Sequence, residues 1–221
     1  MDCPQCNNSN DKTNRFCIEC GEPLINDRKN QKMVNKLKET FRDKSRDNLV
    51  HVLMNLGIKA AMVERGVMQE KIGDEWWTRR LGLISIENDP IKWINICKKD
   101  RSKNSPPQWR YIFIIPAERL GSGKNKIKIK TIRKKTFPIF GKVVDTIWKG
   151  NDRRLTDTLS NEAEIKRLAK TIGNIHLESL SEPISGWKFR ISSGHSDFHE
   201  LITSETWGQF RKLSDILETN L

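Results

Sequence analysis

Residues 108–116 read QWRYIFIIP. The stretch holds the longest apolar run of the chain, YIFII, closed by Pro116 and Ala117. A membrane-spanning helix needs about 20 apolar residues, so this run has the length of a strand. Its neighbours have the same texture. Toward the N-terminus lie IKWINICKK (91–99), RRLGLISIE (79–87) and IKAAMVER (58–65), and toward the C-terminus KIKIKTIRK (126–134) and GKVVDTIWK (141–149). All are rich in Ile, Val or Trp and are separated by turn-forming clusters. The links NDP (88–90) and KDRSKNSPP (99–107) are short, which favours antiparallel pairing over crossover helices.

Helical periods flank and interrupt this run of strands. NLVHVLMNL (48–56) predicts a helix ending near Gly57. In SNEAEIKRLAKTI (160–172), Ser160 is placed as a cap, and Ala163, Ile165, Leu168, Ala169 and Ile172 have helical spacing. GWKFRISS (186–193) and FHELITS (198–204) read as a hairpin around Ser193–Gly194. The last segment, 204–221, is a capped helix with Trp207, Phe210, Leu213 and Leu217 on one face. The expected class is α+β: a mainly antiparallel sheet body over 49–221 with one inserted helix and one C-terminal helix. A curved sheet closed by the terminal helix is compatible with a pleckstrin-homology-like barrel, an analogy that licenses no function.

Mean hydropathy is −0.65, but seven Trp and eight Phe are too many for a disordered chain. The N-terminus has no basic, apolar leader, and Cys3 sits where one would begin. The expectation is a soluble, cytoplasmic protein. The net charge of +12 is unevenly placed, because residues 98–154 carry seventeen Lys or Arg against four Asp or Glu. That segment holds more than the whole excess, a pattern that points to an anionic partner.

The chain opens with CPQCNNSNDKTNRFCIECG (3–21), two Cys-x-x-Cys pairs ten residues apart. Tetrahedral zinc takes four such thiolates, two from each tight turn. The residue after each pair tends toward positive φ, and here Asn7 and Gly21 occupy those places. A head this small needs its metal to fold. Residues 1–24 resemble the short zinc-ribbon heads at the N-termini of many bacterial and archaeal proteins, with Asn7 standing where Gly is usual. The resemblance implies one structural Zn²⁺ held by Cys3, Cys6, Cys17 and Cys20, in a ribbon over 1–25. It implies no activity, since such heads are joined to bodies of many kinds. Four thiolates leave no open position for a catalytic water. The fifth cysteine, Cys97, reads as a buried thiol on a strand.

Between the ribbon and the body, residues 26–48 lack Gly and Pro and carry eight cations against four anions. A basic connecting helix is expected there, with Met33, Val34, Leu37 and Phe41 as a narrow apolar stripe.

GSGKNKIKIKTIRKK (121–135) is the most unusual stretch of the body. In a strand, Lys124, Lys126, Lys128 and Lys130 share one face while Ile127 and Ile129 turn to the core. Arg133, Lys134 and Lys135 continue the charge. Lysines also guard exposed edge strands, but a guard needs one or two charges, not seven. The GSGK within it lacks the flanking Gly and Ser or Thr of a phosphate loop, since Glu118 and Asn125 stand in those places. His195, Asp197 and His199 have suitable chemistry for a metal or acid–base site, but only one segment supplies them. Most of the tryptophans read as core, not as platforms for bases.

The expected function is that of a non-enzymatic zinc-ribbon binding or adaptor protein. Lys124, Lys126, Lys128, Lys130, Arg133, Lys134 and Lys135 would contact a polyanion, with nucleic acid first among the candidates. Attachment to an anionic membrane surface and protein scaffolding through the ribbon are the alternatives.

Overall fold

The computed structural model describes residues 2–3, 6–11, 14, 17–20, 43–73, 75, 78–117, 126–135 and 143–219. Of the connecting helix expected over 26–48, residues 26–42 lie outside the described residues, as do Lys124, Trp76 and Trp77, and residues 45–48 belong to the helix Ser45–Asn55. The chain divides into two compact units, Met1–Asp43 and Lys44–Leu221.

The second unit is an eight-stranded antiparallel sheet with four helices. Its strands are β1 (Ala60–Met62), β2 (Arg79–Ile86), β3 (Trp93–Lys99), β4 (Gln108–Pro116), β5 (Lys128–Lys135), β6 (Val143–Gly150), β7 (Ile175–Leu180) and β8 (Gly186–Ser193). Its helices are α1 (Ser45–Asn55), α2 (Arg153–Asn161), α3 (Ala163–Ile172) and α4 (Ser204–Thr219). The spatial order is β1–β2–β3–β4–β8–β7–β5–β6. The β5–β6 hairpin therefore joins the rest of the sheet through β7, and β4 is central. The sheet is open at β1 and β6, so the barrel analogy does not hold for the described strands.

Alternation along the central strands separates two faces. Trp109, Tyr111, Phe113 and Ile115 of β4 and Trp187, Phe189 and Ile191 of β8 enter the main core. Phe113 stacks on Phe189 with ring centroids 4.5 Å apart, and Phe210 of α4 lies 4.9 Å from Phe113. Each ring buried this way stabilises the fold by roughly 1.5–3 kcal/mol. Helix α4 lies against this layer through Trp207, Phe210, Leu213 and Leu217, the face read from its spacing, and Leu49 and Leu53 of α1 join the same core. The buried carboxylate of Asp89 accepts from Trp207 Nε1 (3.0 Å), Arg211 Nε (2.8 Å) and the Ile91 backbone N–H (3.1 Å).

Three elements differ from expectation. The inserted helix is two helices. The expected helix is α3, whose N-cap is Glu162 without a side-chain hydrogen bond and not Ser160, and the helix before it, α2, is capped by Asp152, whose side chain accepts from the Leu155 N–H at 2.9 Å. Ser160 sits near the end of α2, where its hydroxyl accepts from the Trp148 N–H at 3.0 Å. An extended Glu162 (φ −77°, ψ 112°) then breaks the rod before α3. The hairpin of 186–193 with 198–204 is absent, because β4 and β7 already pair with both sides of β8. Residues Phe198–Leu201 instead form a short 3₁₀ turn that stacks Phe198 on Tyr111 at 4.2 Å. Finally, β7 was not anticipated.

The opposite face of the sheet carries a small apolar cluster, Ile72, Cys97, Ile112, Ile114 and Leu180. A second 3₁₀ turn, Met68–Lys71, packs there. Buried Asn95 fastens it, donating from Nδ2 to the carbonyls of Glu70 (2.7 Å) and Ile72 (3.1 Å). Beyond it, over β5, β7 and β8, that face carries Lys128, Lys130, His176, Glu178, Lys188 and Arg190.

Candidate functional site: four cysteines and a cationic cleft

In the first unit the sulfurs of Cys3, Cys6, Cys17 and Cys20 all lie within 4.8 Å of one another. Cys3 and Cys20 are 3.5 Å apart, and Cys6 and Cys17 3.6 Å. A tetrahedral zinc–thiolate site with ~2.3 Å bonds has edges of about 3.8 Å, so the donor set fits one metal ion. Local structure explains the convergence. Asn7 takes φ 57°, its N–H donates to the Cys3 carbonyl (2.9 Å), and the Cys3 N–H donates to the Asn8 carbonyl (2.9 Å). Buried Asn10 ties the two turns together. Its Oδ1 accepts from the Ile18 N–H (2.9 Å), and its Nδ2 donates to the Asn8 carbonyl (2.7 Å) and lies 3.5 Å from Cys17 Sγ. Backbone hydrogen bonds from Cys20, then Glu19, with the Asn10 amide, bring the Cys17 thiol down to about 6 against the opposing effect of burial. The thiolate is the form a metal binds.

The second unit has a cleft of about 640 Å³ on the polar face of its sheet. Register builds it. Across β8, β7, β5 and β6, Arg190 pairs with His176, His176 with Lys130 and Lys130 with Lys149. Two residues along the strands, Lys188 pairs with Glu178 and Glu178 with Lys128. On the other side of the row, Arg110 of β4 projects from the same face. Glu75 bridges the two arginines, 2.8 Å from Arg110 Nη1 and 3.2 Å from Arg190 Nη1. Gly73 and Glu75 form the wall. Gly73 (φ 73°) lies so close over Ile112 that a Cβ there would come within 2.8 Å of its Cδ1.

The carboxylates are engaged. Glu178 is held by Lys126 and by Lys188 at 2.8 Å. Partial burial pulls its carboxyl upward, but hydrogen bonds from those lysines outweigh this and leave it below the usual carboxylate range. Desolvation in the cleft, followed by the charges of Arg190, Lys130 and Arg110, lowers the His176 pKa. Burial and then Arg110 lower that of Arg190, against Glu75 and Glu178.

The expected basic ladder is divided by this geometry. Lys126, Lys128 and Lys130 are exposed, Ile129 is buried, and Ile127 packs against the core. Lys134 also faces solvent and lies 3.7 Å from Asp145. Arg133 falls on the alternate face of β5, where its Nε donates to Asn174 Oδ1 at 3.0 Å. Lys135 ends β5 beyond a register shift. Lys149, His176, Lys188 and Arg190 complete the cleft, with Arg110 beside it on Glu75, and none of these is singled out by the sequence. His195 lies in a bend, Asp197 in the turn that follows and His199 in the 3₁₀ segment, so they do not share the face of one strand, as an extended reading of GHSDFHE would place them. Among the described residues, only the four cysteines form a metal-capable group. Trp109, Trp148, Trp187 and Trp207 are buried, so none of these four offers an open ring for base stacking. Among the described residues, no helix is long and apolar enough to cross a membrane. Comparison with protein-family models, curated proteins and solved structures finds no significant match.

Proposed function

We propose that this chain is a non-enzymatic binding protein whose ribbon head holds one structural Zn²⁺ and whose basic sheet face holds the phosphate backbone of nucleic acid. The supporting observation is the position of β5. This lysine-bearing strand is interior, paired with β6 on one side and with β7 over Lys128–Lys130 on the other. Guarding a sheet edge therefore does not account for the charges of Lys128 and Lys130. Lys128 and Lys130 present cations about 6.8 Å apart on one face, near the spacing of phosphates on an extended strand, and Lys134 adds a third roughly two such intervals further along. The buried tryptophans direct recognition to the backbone and not to stacked bases, so sequence preference is weak. Thiolate ligation suits a reducing, cytoplasmic compartment.

Fluorescence anisotropy of a labelled strand of about 20 nucleotides over a salt series tests this reading. The expected result is micromolar affinity that falls steeply with salt, and a shallower slope when Lys128, Lys130 and Lys134 are replaced by Gln. Absence of binding at low salt, or an unchanged slope in the triple variant, would refute it. A second reading, docking of the ribbon onto a protein, draws on Ile18, which lies between the paired cysteines and is 73% exposed. Loss of a captured partner on Ile18→Ser, with metal retained, would support it.

A further inference from the structure

Most of the cross-strand charge pairs around the cleft obey a simple rule. Lys188 and Lys128 both face Glu178, and Lys134 faces Asp145. Opposite charges directly across an antiparallel pair stabilise it, and like charges destabilise it. One row breaks the rule. Arg190, His176, Lys130 and Lys149 stand side by side on four consecutive strands, with no carboxylate among them. Lys130 and Lys149 are directly opposed. Glu75 answers Arg190 from outside the sheet, but the directly opposed Lys130 and Lys149 cost stability that a bound anion would recover.

Two further features shape what that anion can be. The cavity of about 640 Å³ is the size of a small-ligand site, not of a groove for many nucleotides. It is also acidic at both ends along the strand direction. Glu178 lies two residues from His176 on the same face of β7, and Glu75 sits on the other side, between Arg190 and Arg110. A strand seated along β7 inside the cleft would bring its neighbouring phosphates, spaced by roughly 6–7 Å, up to these carboxylates, whereas a backbone passing over the exposed ends of Lys128, Lys130 and Lys134 on β5 need not meet them. One isolated phosphate meets the cationic row with a single carboxylate beside it, that of Glu75 on Arg190. A phosphomonoester, close to a dianion at neutral pH, suits several converging cations better than a diester.

We propose that the row Arg190–His176–Lys130–Lys149 binds a single phosphomonoester of nucleotide size, and that on a nucleic acid it takes the phosphorylated end of a strand. The assignment rests on the nucleic-acid reading above for its polymer form, since the same chemistry is offered by a free mononucleotide. Arg190 and Lys130 flank the imidazole from adjacent strands, each about 5 Å away at the backbone. Lys149 extends the cradle from β6.

The test uses the full chain with its metal. Calorimetry compares a strand of about six nucleotides ending in 5′-phosphate, in 3′-phosphate or in hydroxyls only, with adenosine 5′-monophosphate and inorganic phosphate as further probes. The expected result is at least about tenfold tighter binding of a phosphorylated end, since one charge-assisted contact suffices for that factor. Lys149→Gln and Arg190→Lys should each erase the preference while the strand of about 20 nucleotides still binds. The His176 ring resonance should titrate at higher pH with the phosphorylated probe present. Lys149 is exposed, so its variant probes charge without disturbing packing. Tight binding of the mononucleotide, with displacement of the phosphorylated strand, would make the free nucleotide the natural source. Equal affinity for phosphate and hydroxyl ends would overturn the inference and leave backbone binding standing. Mononucleotide binding without any binding of the longer strand would do the reverse. If no probe binds, both fail.

Discussion

Asp89 shows how much one side chain can hold. It is 3% exposed and serves three donors, two of which, Trp207 Nε1 and the Ile91 N–H, lie in its buried surroundings. Truncation strands those donors, while the half-exposed Arg211 recovers water. Asp89→Ala should therefore cost roughly 2–4 kcal/mol, read as a lower urea midpoint, with Asp89→Asn costing less. His176 makes a prediction of opposite character. Its folded pKa lies below the ordinary 6.5 because of desolvation and then of Arg190, Lys130 and Arg110. The unfolded chain therefore binds more protons in that window, and stability rises with pH across it. As pH falls below about 6.5, the free protein should lose stability, and His176→Gln should remove that component. Equal pH profiles for the two proteins would show that the histidine is not held neutral.

At the scale of elements, the junction of β4 and β8 is the tightest place in the sheet. Gly186 opens β8 at φ 153° opposite Pro116, and a Cβ there would collide with the Ile115 carbonyl oxygen and approach the Ala117 nitrogen at 2.9 Å. Gly186→Ala should cost about 2–4 kcal/mol through backbone strain, seen as a shifted denaturation midpoint with an unchanged slope. The central strands were legible because their composition is extreme. In β4, Trp, Tyr, Phe and Ile mark both faces as buried, and the expected span matches the observed one. Strand β7 was harder to read because its alternation, Ile175 and Leu177 inward with His176 and Glu178 outward, spans only six residues directly after a helix. The false hairpin had the reverse cause. FHELITS has the composition of a strand, but Phe198 enters the core on Tyr111 and no open side of β8 remains.

For the whole molecule, topology decides what sequence could reveal. The cysteines were legible because their spacing alone brings them together, while the cleft was not. Lys130 was singled out from its own strand, but its neighbours come from β6, β7 and β8, and the order β8–β7–β5–β6 cannot be read locally. The division into two compact units also predicts how metal loss spreads. Removing the metal with a chelator should abolish hydrogen-exchange protection within residues 2–20 and leave the amides of β3, β4 and β8 protected. Elemental analysis of the untreated protein should give one zinc per chain. Loss of protection in β4 on chelation would mean that the sheet depends on the metal.

The open face of the sheet has a consequence for descent. Along β5, β7 and β8, every second residue answers to the packed interior and the intervening ones to the cleft. Substitutions at Lys128, Lys130, His176, Lys188 and Arg190 can therefore accumulate without disturbing Ile129, Leu177, Trp187 or Phe189. A chain built on this framework could thus change the charges of its open face while the rings beneath kept the same packing.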